Sequence, residues 1–319
     1  MVLTDYTIDV IIPAYNAEAF IIDAIKSVEA QTYKPARIIV INDGSTDHTE
    51  DIVKSYTSSI PLVYISQKNA GPNAARNTGL AQATAPFVAF LDADDRWEPV
   101  KLEKQIQLFE QNPALGLVYA NYKNIGTNGV DRPDIPTVPI DPQMRGNVFA
   151  RLLERNMILG SSSNVLIKKS VFDAVGVFDE TLRVGEDWDM WLRIAEQFPI
   201  DYINEVLVAI RRHMQNQTNN ILHLIKQDCV FIEKWLPAID GIYPIPPLWG
   251  DKIIFNIIRR LPRLDGFSIA KKSLSTTSRK KLFSHAKGLI VLACMSSLIH
   301  VLSTPDLRKR AFAALKRYG

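Results

Sequence analysis

An apolar run ends in three acids at Phe87-Val88-Ala89-Phe90-Leu91-Asp92-Ala93-Asp94-Asp95. An extended chain alternates its side chains between two faces, so Asp92 and Asp94 project the same way from the end of a buried strand. Two convergent carboxylates make a hard oxygen site of the kind that holds Mg2+ or Mn2+ with waters and substrate phosphates. An acidic turn ahead of the helix that Glu98 and Pro99 open accounts for the same residues without any chemistry, proline being favoured in a helix's first turn. The motif therefore has to be read with the elements around it.

Short apolar strands alternate with helix-length segments through the first hundred residues. The strands fall at 8–12, 37–41, 61–65 and 86–91, and the helices at 19–30, 49–56 and 73–83. This rhythm predicts βαβ units and a mostly parallel sheet flanked by helices. In such a sheet ligand loops lie at the carboxyl ends of the strands. Three loops stand there: Pro13-Ala14-Tyr15-Asn16, Asn42-Asp43-Gly44-Ser45 and Asp92-Ala93-Asp94-Asp95. Further on, a helix over 99–111, a strand over 115–122, a Pro-, Gly- and Asp-rich loop over 126–146, a short strand over 165–167, helices over 169–175 and 188–197, and a strand over 202–211 complete the body.

The catalytic body is expected to span 1–236, a proline-rich linker 237–250, and a mainly helical extension 251–319. That extension carries fifteen Lys and Arg against Asp251, Asp265 and Asp306, a balance of +12, so the first 250 residues hold −9 of a chain whose formal charge is +3. A basic end on an acidic body suits an anionic membrane surface or a solvated helix face. Nucleic acid is not expected, because interleaved aromatics and zinc-finger or RNA-binding signatures are missing. The apolar tract 289–303 contains Ser296, Ser297 and His300 and falls short of the roughly 20 residues a spanning helix needs. It suits an interfacial helix or an ordinary buried one. Cys229 and Cys294 stand far apart without metal-ligand neighbours, and the N-terminus lacks a basic region before an apolar core, which together predict a cytoplasmic protein, peripheral on the membrane if the basic end engages lipid.

Taken in order, Ile11-Ile12-Pro13-Ala14-Tyr15-Asn16, Asn42-Asp43-Gly44-Ser45-Thr46-Asp47, Ala74-Ala75-Arg76-Asn77-Thr78-Gly79, Leu91-Asp92-Ala93-Asp94-Asp95 and Gly185-Glu186-Asp187-Trp188 resemble the family 2 glycosyltransferases over about the first 215 residues. The resemblance implies a GT-A fold, a nucleotide-diphosphate sugar donor, a divalent cation and inversion at the anomeric carbon. On the donor side Pro13, Ala14, Tyr15 and Asn16 would leave the first strand with an aromatic ring placed to cover a nucleobase. Asp43 is suited to accept from a base N–H, as uracil offers, or to make a simple Asx turn. Asp47 with Glu50 reads as a capping box. Gly71 permits close backbone approach, and Arg76 can hold a phosphate or pair with one of the neighbouring acids. By resemblance Asp94 ligates the cation while Asp92, beside Ala93, contacts the ribose or reaches the cation through water. Asp95 then organises the turn.

Transfer also needs a base to take the proton of the attacking hydroxyl. Asp187 is assigned that role, at a helix N-terminus that favours its ionised form and weakens its basicity. Glu186 next door is the alternative base, or a helper in orienting acceptor, and Asp189 can pair with Arg193 four residues on. Trp188 and Trp191 share a helical face whose default is core packing, with Trp188 placed to stack on an acceptor sugar. Ser162, in the polar loop 160–164, is the other acceptor-side position. His213 completes the cation or diphosphate site by resemblance, or is structural. The expected activity is transfer of a hexose or N-acetylhexosamine from a UDP-sugar to a glycan or lipid-linked acceptor. Alternatives are a non-catalytic nucleotide-sugar or glycan-binding protein and a sugar nucleotidyltransferase; against the latter, Pro13 to Phe20 contains neither glycine nor Lys or Arg. A processive polymer synthase is not expected, since it needs spanning helices.

Overall fold

The computed structural model describes residues 5–154, 156–182, 185–213 and 234–235. The chain divides into two compact units, Met1–Asn220 and Ile221–Gly319, and the architecture below belongs to the first. The expected linker 237–250, the extension 251–319 and its apolar tract lie outside the described residues.

Four strands, β1 (Ile8–Ala14), β2 (Arg37–Asn42), β3 (Leu62–Ser66) and β4 (Phe87–Phe90), alternate with helices α1 (Ile21–Glu29), α2 (Thr49–Ser55) and α3 (Pro72–Gln82). Then come β5 (Arg96–Trp97), α4 (Lys101–Gln111), β6 (Leu117–Ile125), α5 (Phe149–Glu154), a 3-10 turn (Ser162–Asn164), β7 (Val165–Lys168), α6 (Lys169–Val175), α7 (Glu186–Gln197) and β8 (Ile200–Arg211). They form one eight-stranded sheet in the order β3-β2-β1-β4-β7-β6-β8-β5. The expected parallel pairing holds from β3 to β4. Beyond it the sheet is mixed, with β7 antiparallel to both neighbours and β5 antiparallel to β8.

Burial on both faces explains the unbroken apolar reading of the central strands. Ile8, Val10 and Ile12 of β1 pack in one cluster with Ala24, Ile25 and Val28 of α1 and with Leu102, Ile106 and Phe109 of α4. On the opposite face Ile11 meets α3 at Gly79, where an added Cβ would stand 2.4 Å from Ile11 Cγ2. Only glycine lets the helix lie that close to the strand. The one charge inside β1, Asp9, is fully buried and answered in full. Arg37 grips it at 2.6 and 3.0 Å while the Thr84 and Ala85 amides donate to it at 2.7 and 3.0 Å. Burial works against its charge, yet Arg37 and the two amides hold its carboxyl below the usual range.

The chain runs outward from β1 through β2 to β3 and then crosses back to place β4 on the other side of β1. Such a reversal opens a crevice at the carboxyl ends of the two strands. Those ends release Pro13 to Asn16 and Asp92 to Asp95. Among the described residues no helix is long and apolar enough to cross a membrane.

Candidate active site

The loops after β1 and β2 are laced together. Asn16, with φ of 49°, accepts from the Thr46 amide at 2.8 Å and donates its own amide to Ser45 Oγ at 2.9 Å. The expected capping box does not form. Asp47 Oδ1 accepts from the Thr49 amide and hydroxyl, its Oδ2 accepts from the Glu18 amide, and Glu50 pairs with Lys54 instead. Asp47 lies one residue too early to cap α2, because the helix starts at Thr49. Asp43 is 3% exposed. Its oxygens accept from Gln67 Nε2 at 2.7 Å, the Ala70 amide at 2.9 Å and the Gly71 amide at 2.8 Å. It thereby shapes the segment leading into α3 while still reaching the cleft wall.

The acid turn after β4 is held from beneath. Asp95, 2% exposed, accepts from Ser163 Oγ at 2.7 Å, Ser161 Oγ at 3.2 Å and the Arg211 amide at 3.0 Å. The Asp92 amide in turn donates to Ser163 Oγ at 3.0 Å. Burial, with Asp94 and Asp92 close by, pushes the Asp95 carboxyl well above the usual range. Asp95 is thus the organiser of the turn, which frees Asp92 and Asp94 to face outward. Sequence reasoning missed the residue that locks this arrangement. Arg211, 1% exposed, lies across the Phe20 ring. It donates to the Asp94 and Thr127 carbonyls at 2.8 Å each, to Gly126 O at 3.3 Å, and to Asp23 Oδ2 at 3.2 Å. Replacing it with methionine strands the Asp94 carbonyl, takes a donor from Thr127 O and Asp23, and leaves Gly126 O with the Gly129 amide alone; a buried polar group left unsatisfied costs about 1–3 kcal/mol. Arg211→Met is therefore expected to lower stability by about 3 kcal/mol or more, read as a shift in the denaturant midpoint at unchanged slope.

Across the cleft, α7 brings the second pair of acids. Gly185 caps it at φ 81°, a left-handed conformation that glycine adopts without strain, and Glu186 and Asp187 follow in the first turn. One guanidinium spans both acid groups. Arg76 places NH2 2.9 Å from Asp92 Oδ1 and NH1 3.8 Å from Glu186 Oε1 and 4.0 Å from Asp187 Oδ1. Burial disfavours its charge, but Asp92, Asp187 and Glu186 outweigh that and raise its pKa. Burial also pushes up Glu186, with Asp187 adding to the push, and Asp187 itself, where Arg76 opposes the rise and Asp92 adds to it. Asp187 Oδ1 is buried without a hydrogen-bond partner. A buried carboxylate oxygen left open beside a cleft is suited to receive a proton from an incoming hydroxyl.

Every donor-side position expected from the sequence reaches one cleft of about 910 Å3: Pro13, Ala14, Tyr15, Asn16, Asp43, Gly71, Arg76, Asp92 and Ala93. So do Asp94, Glu186, Asp187, Trp188 and His213. Ser162 does not. It is fully buried, because the 3-10 turn rotates its side chain inward, and Gly160 and Ser161 line the cleft in its place. The two tryptophans part company: Trp191 is fully buried, while Trp188 stands on the wall and donates Nε1 to Leu152 O at 2.7 Å. Asp189 pairs with Arg193 at 3.0 Å as expected.

Asp94 Oδ2 lies 2.8 Å from His213 Nε2, and the His213 ring stacks on Phe20. Asp94 and His213 thus offer one carboxylate and one imidazole, both of donor types that divalent cations accept. Among the described residues no group of three or more His, Cys, Asp or Glu side chains is placed to hold a metal ion. A cation at Asp94, with His213 beside it, would draw its remaining ligands from water and from a donor's phosphates, as Mg2+ commonly does.

The glycosyl transferase family 2 model matches residues 9–176. The chain is 38% identical over 202 residues to the Escherichia coli UDP-Glc:alpha-D-GlcNAc-diphosphoundecaprenol beta-1,3-glucosyltransferase WfgD, covering 63% of this chain and 75% of that protein. It is 32% identical over 227 residues to an uncharacterised glycosyltransferase of Rickettsia prowazekii, 69% of this chain and 68% of the other. A further uncharacterised glycosyltransferase, from Rickettsia conorii, is 34% identical over 210 residues, 66% of this chain but only 33% of that longer protein. Residues 1–349 of Staphylococcus aureus TarS, solved with UDP-GlcNAc, share the fold with a TM-score of 0.61 at 18% identity, over 88% of this chain and 79% of that one.

Proposed function

This chain belongs to glycosyl transferase family 2, and from that premise we propose that it moves a hexose or N-acetylhexosamine from a UDP-sugar to a hydroxyl of a glycan or lipid-linked acceptor, inverting the anomeric centre. The observation that carries the reading is the span of Arg76, which joins the donor acid Asp92 at 2.9 Å to the acids of α7 at 3.8 and 4.0 Å. A nucleotide pocket and a base thereby share one cleft.

Tyr15, exposed at the rim, covers the nucleobase, and the loop fixed by Asp43 borders the same end. Asp92 faces the ribose and diphosphate. Asp94 and His213 would hold the cation, Mg2+ or Mn2+, which would supply positive charge beside the departing diphosphate. Asp187 takes the acceptor proton as the hydroxyl attacks the anomeric carbon from the side away from the diphosphate, and Glu186 orients that hydroxyl. Trp188 offers a ring for the acceptor sugar to stack on.

WfgD, by its name, acts on a diphosphoundecaprenol-linked sugar. That likeness and the basic composition of 251–319 support a lipid-linked acceptor met at an anionic membrane surface from the cytoplasmic side. The test is release of UDP from a panel of UDP-sugars with intact and delipidated membrane extracts, each with Mn2+ and with EDTA. EDTA-sensitive turnover with one donor supports the reading. Binding of UDP without turnover on any donor would instead favour a sensor of nucleotide sugar, and equal acceptor activity after delipidation would remove the lipid.

A base must be ionised to work. Burial pushes the Asp187 carboxyl up to about 6, so the ionised fraction falls about tenfold per unit as pH drops below that value. The pH profile of kcat/KM, which reports groups of the free enzyme, is expected to show an acid limb near pH 6 rather than in the ordinary carboxylate range. A flat profile down to pH 5 would assign proton removal to another group.

A further inference from the structure

We propose that Asn73 and Asn77 are positioning residues that set the gap between the donor acids and Asp187; the inference rests on the role of Asp187 given above. Asn73 and Asn77 stand four residues apart on one face of α3, and Arg76 follows Asn73 by three. Asn73, 3% exposed, donates from Nδ2 to the carbonyls of Asp179 at 2.9 Å and Leu182 at 2.6 Å. Its Oδ1 accepts from Arg76 NH1 at 3.3 Å, which places the carboxamide between the guanidinium and the 178–182 segment. Asn77 donates to Phe178 O and to Glu180 Oε1, and accepts from the Phe178 amide, each at 2.9 Å. A carboxamide can answer a peptide C=O and N–H together.

Leu182 precedes Gly185 by only three residues, so the gripped segment delivers the first turn of α7. That helix closes the other side itself. Arg193 donates to the carbonyls of Val175 at 2.6 Å and Val177 at 3.0 Å while pairing with Asp189. The stretch ahead of the base is therefore clamped from α3 and from α7 at once. The side-chain bonds of Asn77 all go to 178–180, away from the donor acids. Its influence on turnover must then pass through the placement of α7, and a displacement of about 1 Å in a reacting group can cost about 100-fold in rate.

A double-mutant cycle separates this role from a merely structural one. UDP release from UDP-glucose or UDP-GlcNAc, whichever turns over faster, is measured with Mn2+ for wild type, Asn77→Ala, Asp187→Asn and the pair. Asn77→Ala is expected to lower kcat by about 10- to 100-fold, with donor KM moved less than about threefold. In the Asp187→Asn background the same change should cost little more. Additive losses on a slow Asp187→Asn enzyme, or a loss confined to donor KM, overturn the positioning role and leave the base assignment standing. Normal turnover by Asp187→Asn overturns the base assignment and this role with it. Should Asn77→Ala not fold, Asn77→Asp keeps the size and the acceptor for the Phe178 amide but loses the donor to Phe178 O and repels Glu180. It is held to the same pattern.

Discussion

Asp187→Asn is expected to lower kcat by about 10²- to 10⁴-fold, the usual contribution of a positioned base, while donor KM and UDP affinity stay near wild type. Asparagine has the same shape and fills the same space, so α7 keeps its packing. The change removes one negative charge from around Arg76, which retains Asp92 at 2.9 Å and Glu186 at 3.8 Å. The donor side of the cleft therefore survives. What is lost is a carboxylate oxygen, buried and without a hydrogen-bond partner, that can accept a proton. Steady-state UDP release over a range of donor concentrations gives both parameters in one experiment. Glu186→Gln serves as the comparison and should show a smaller fall. An effect of Asp187→Asn confined to KM would mark Asp187 as a binding residue and leave the reaction without its base.

Asp94→Ala should be nearly as damaging, by a different route. Its side chain is 26% exposed and meets His213 Nε2 at 2.8 Å, while other groups hold the turn. That work falls to Asp95, to Ser163 and to Arg211, whose bond to residue 94 goes to the backbone carbonyl. Alanine therefore leaves these supports of the turn in place and removes the carboxylate proposed to hold the cation, together with its bond to His213. Losing one preorganised electrostatic contact to a developing anion costs about 10²- to 10³-fold in kcat. Turnover by Asp94→Ala is expected to fall by that factor and to lose its response to Mn2+, with stability lowered by about 1 kcal/mol for the lost bond to His213. An unaltered Mn2+ titration would place the cation elsewhere.

The central sheet and the donor loops were legible from the residues because they obey local rules. Ile8 to Ala14 and Phe87 to Leu91 are apolar runs cut off by polar turns, and a strand buried on both faces reads that way. Gly71 and Pro72 open α3 just where a turn must give way to a helix. Other features are written only in contacts across the chain. Arg211 reads as an ordinary basic residue closing a strand, and nothing near it announces that it will lie under Asp94 and over Phe20. Ser163 looks like one member of a serine run, yet it alone joins the Asp92 amide to Asp95. Ser162, chosen from the same run, is turned inward because a 3-10 turn has three residues per revolution and neighbours point in different directions. The two-residue β5 and the six-residue α5 are too short to leave a periodic signal. The meeting of Asp187 with the donor acids came from resemblance, and the bridging guanidinium of Arg76 supplies its physical cause.

The contact of Gly79 with Ile11 has a practical corollary for anyone redesigning the enzyme. With 2.4 Å between a would-be Cβ and the strand beneath it, the donor floor has no slack, and mutagenic libraries on α3 should return mostly inactive clones. Variation is better placed on the opposite bank, at the partly buried Asn156 and Leu159, which meet the cleft without supporting the helix that carries Arg76. Altered acceptor preference should be sought there first.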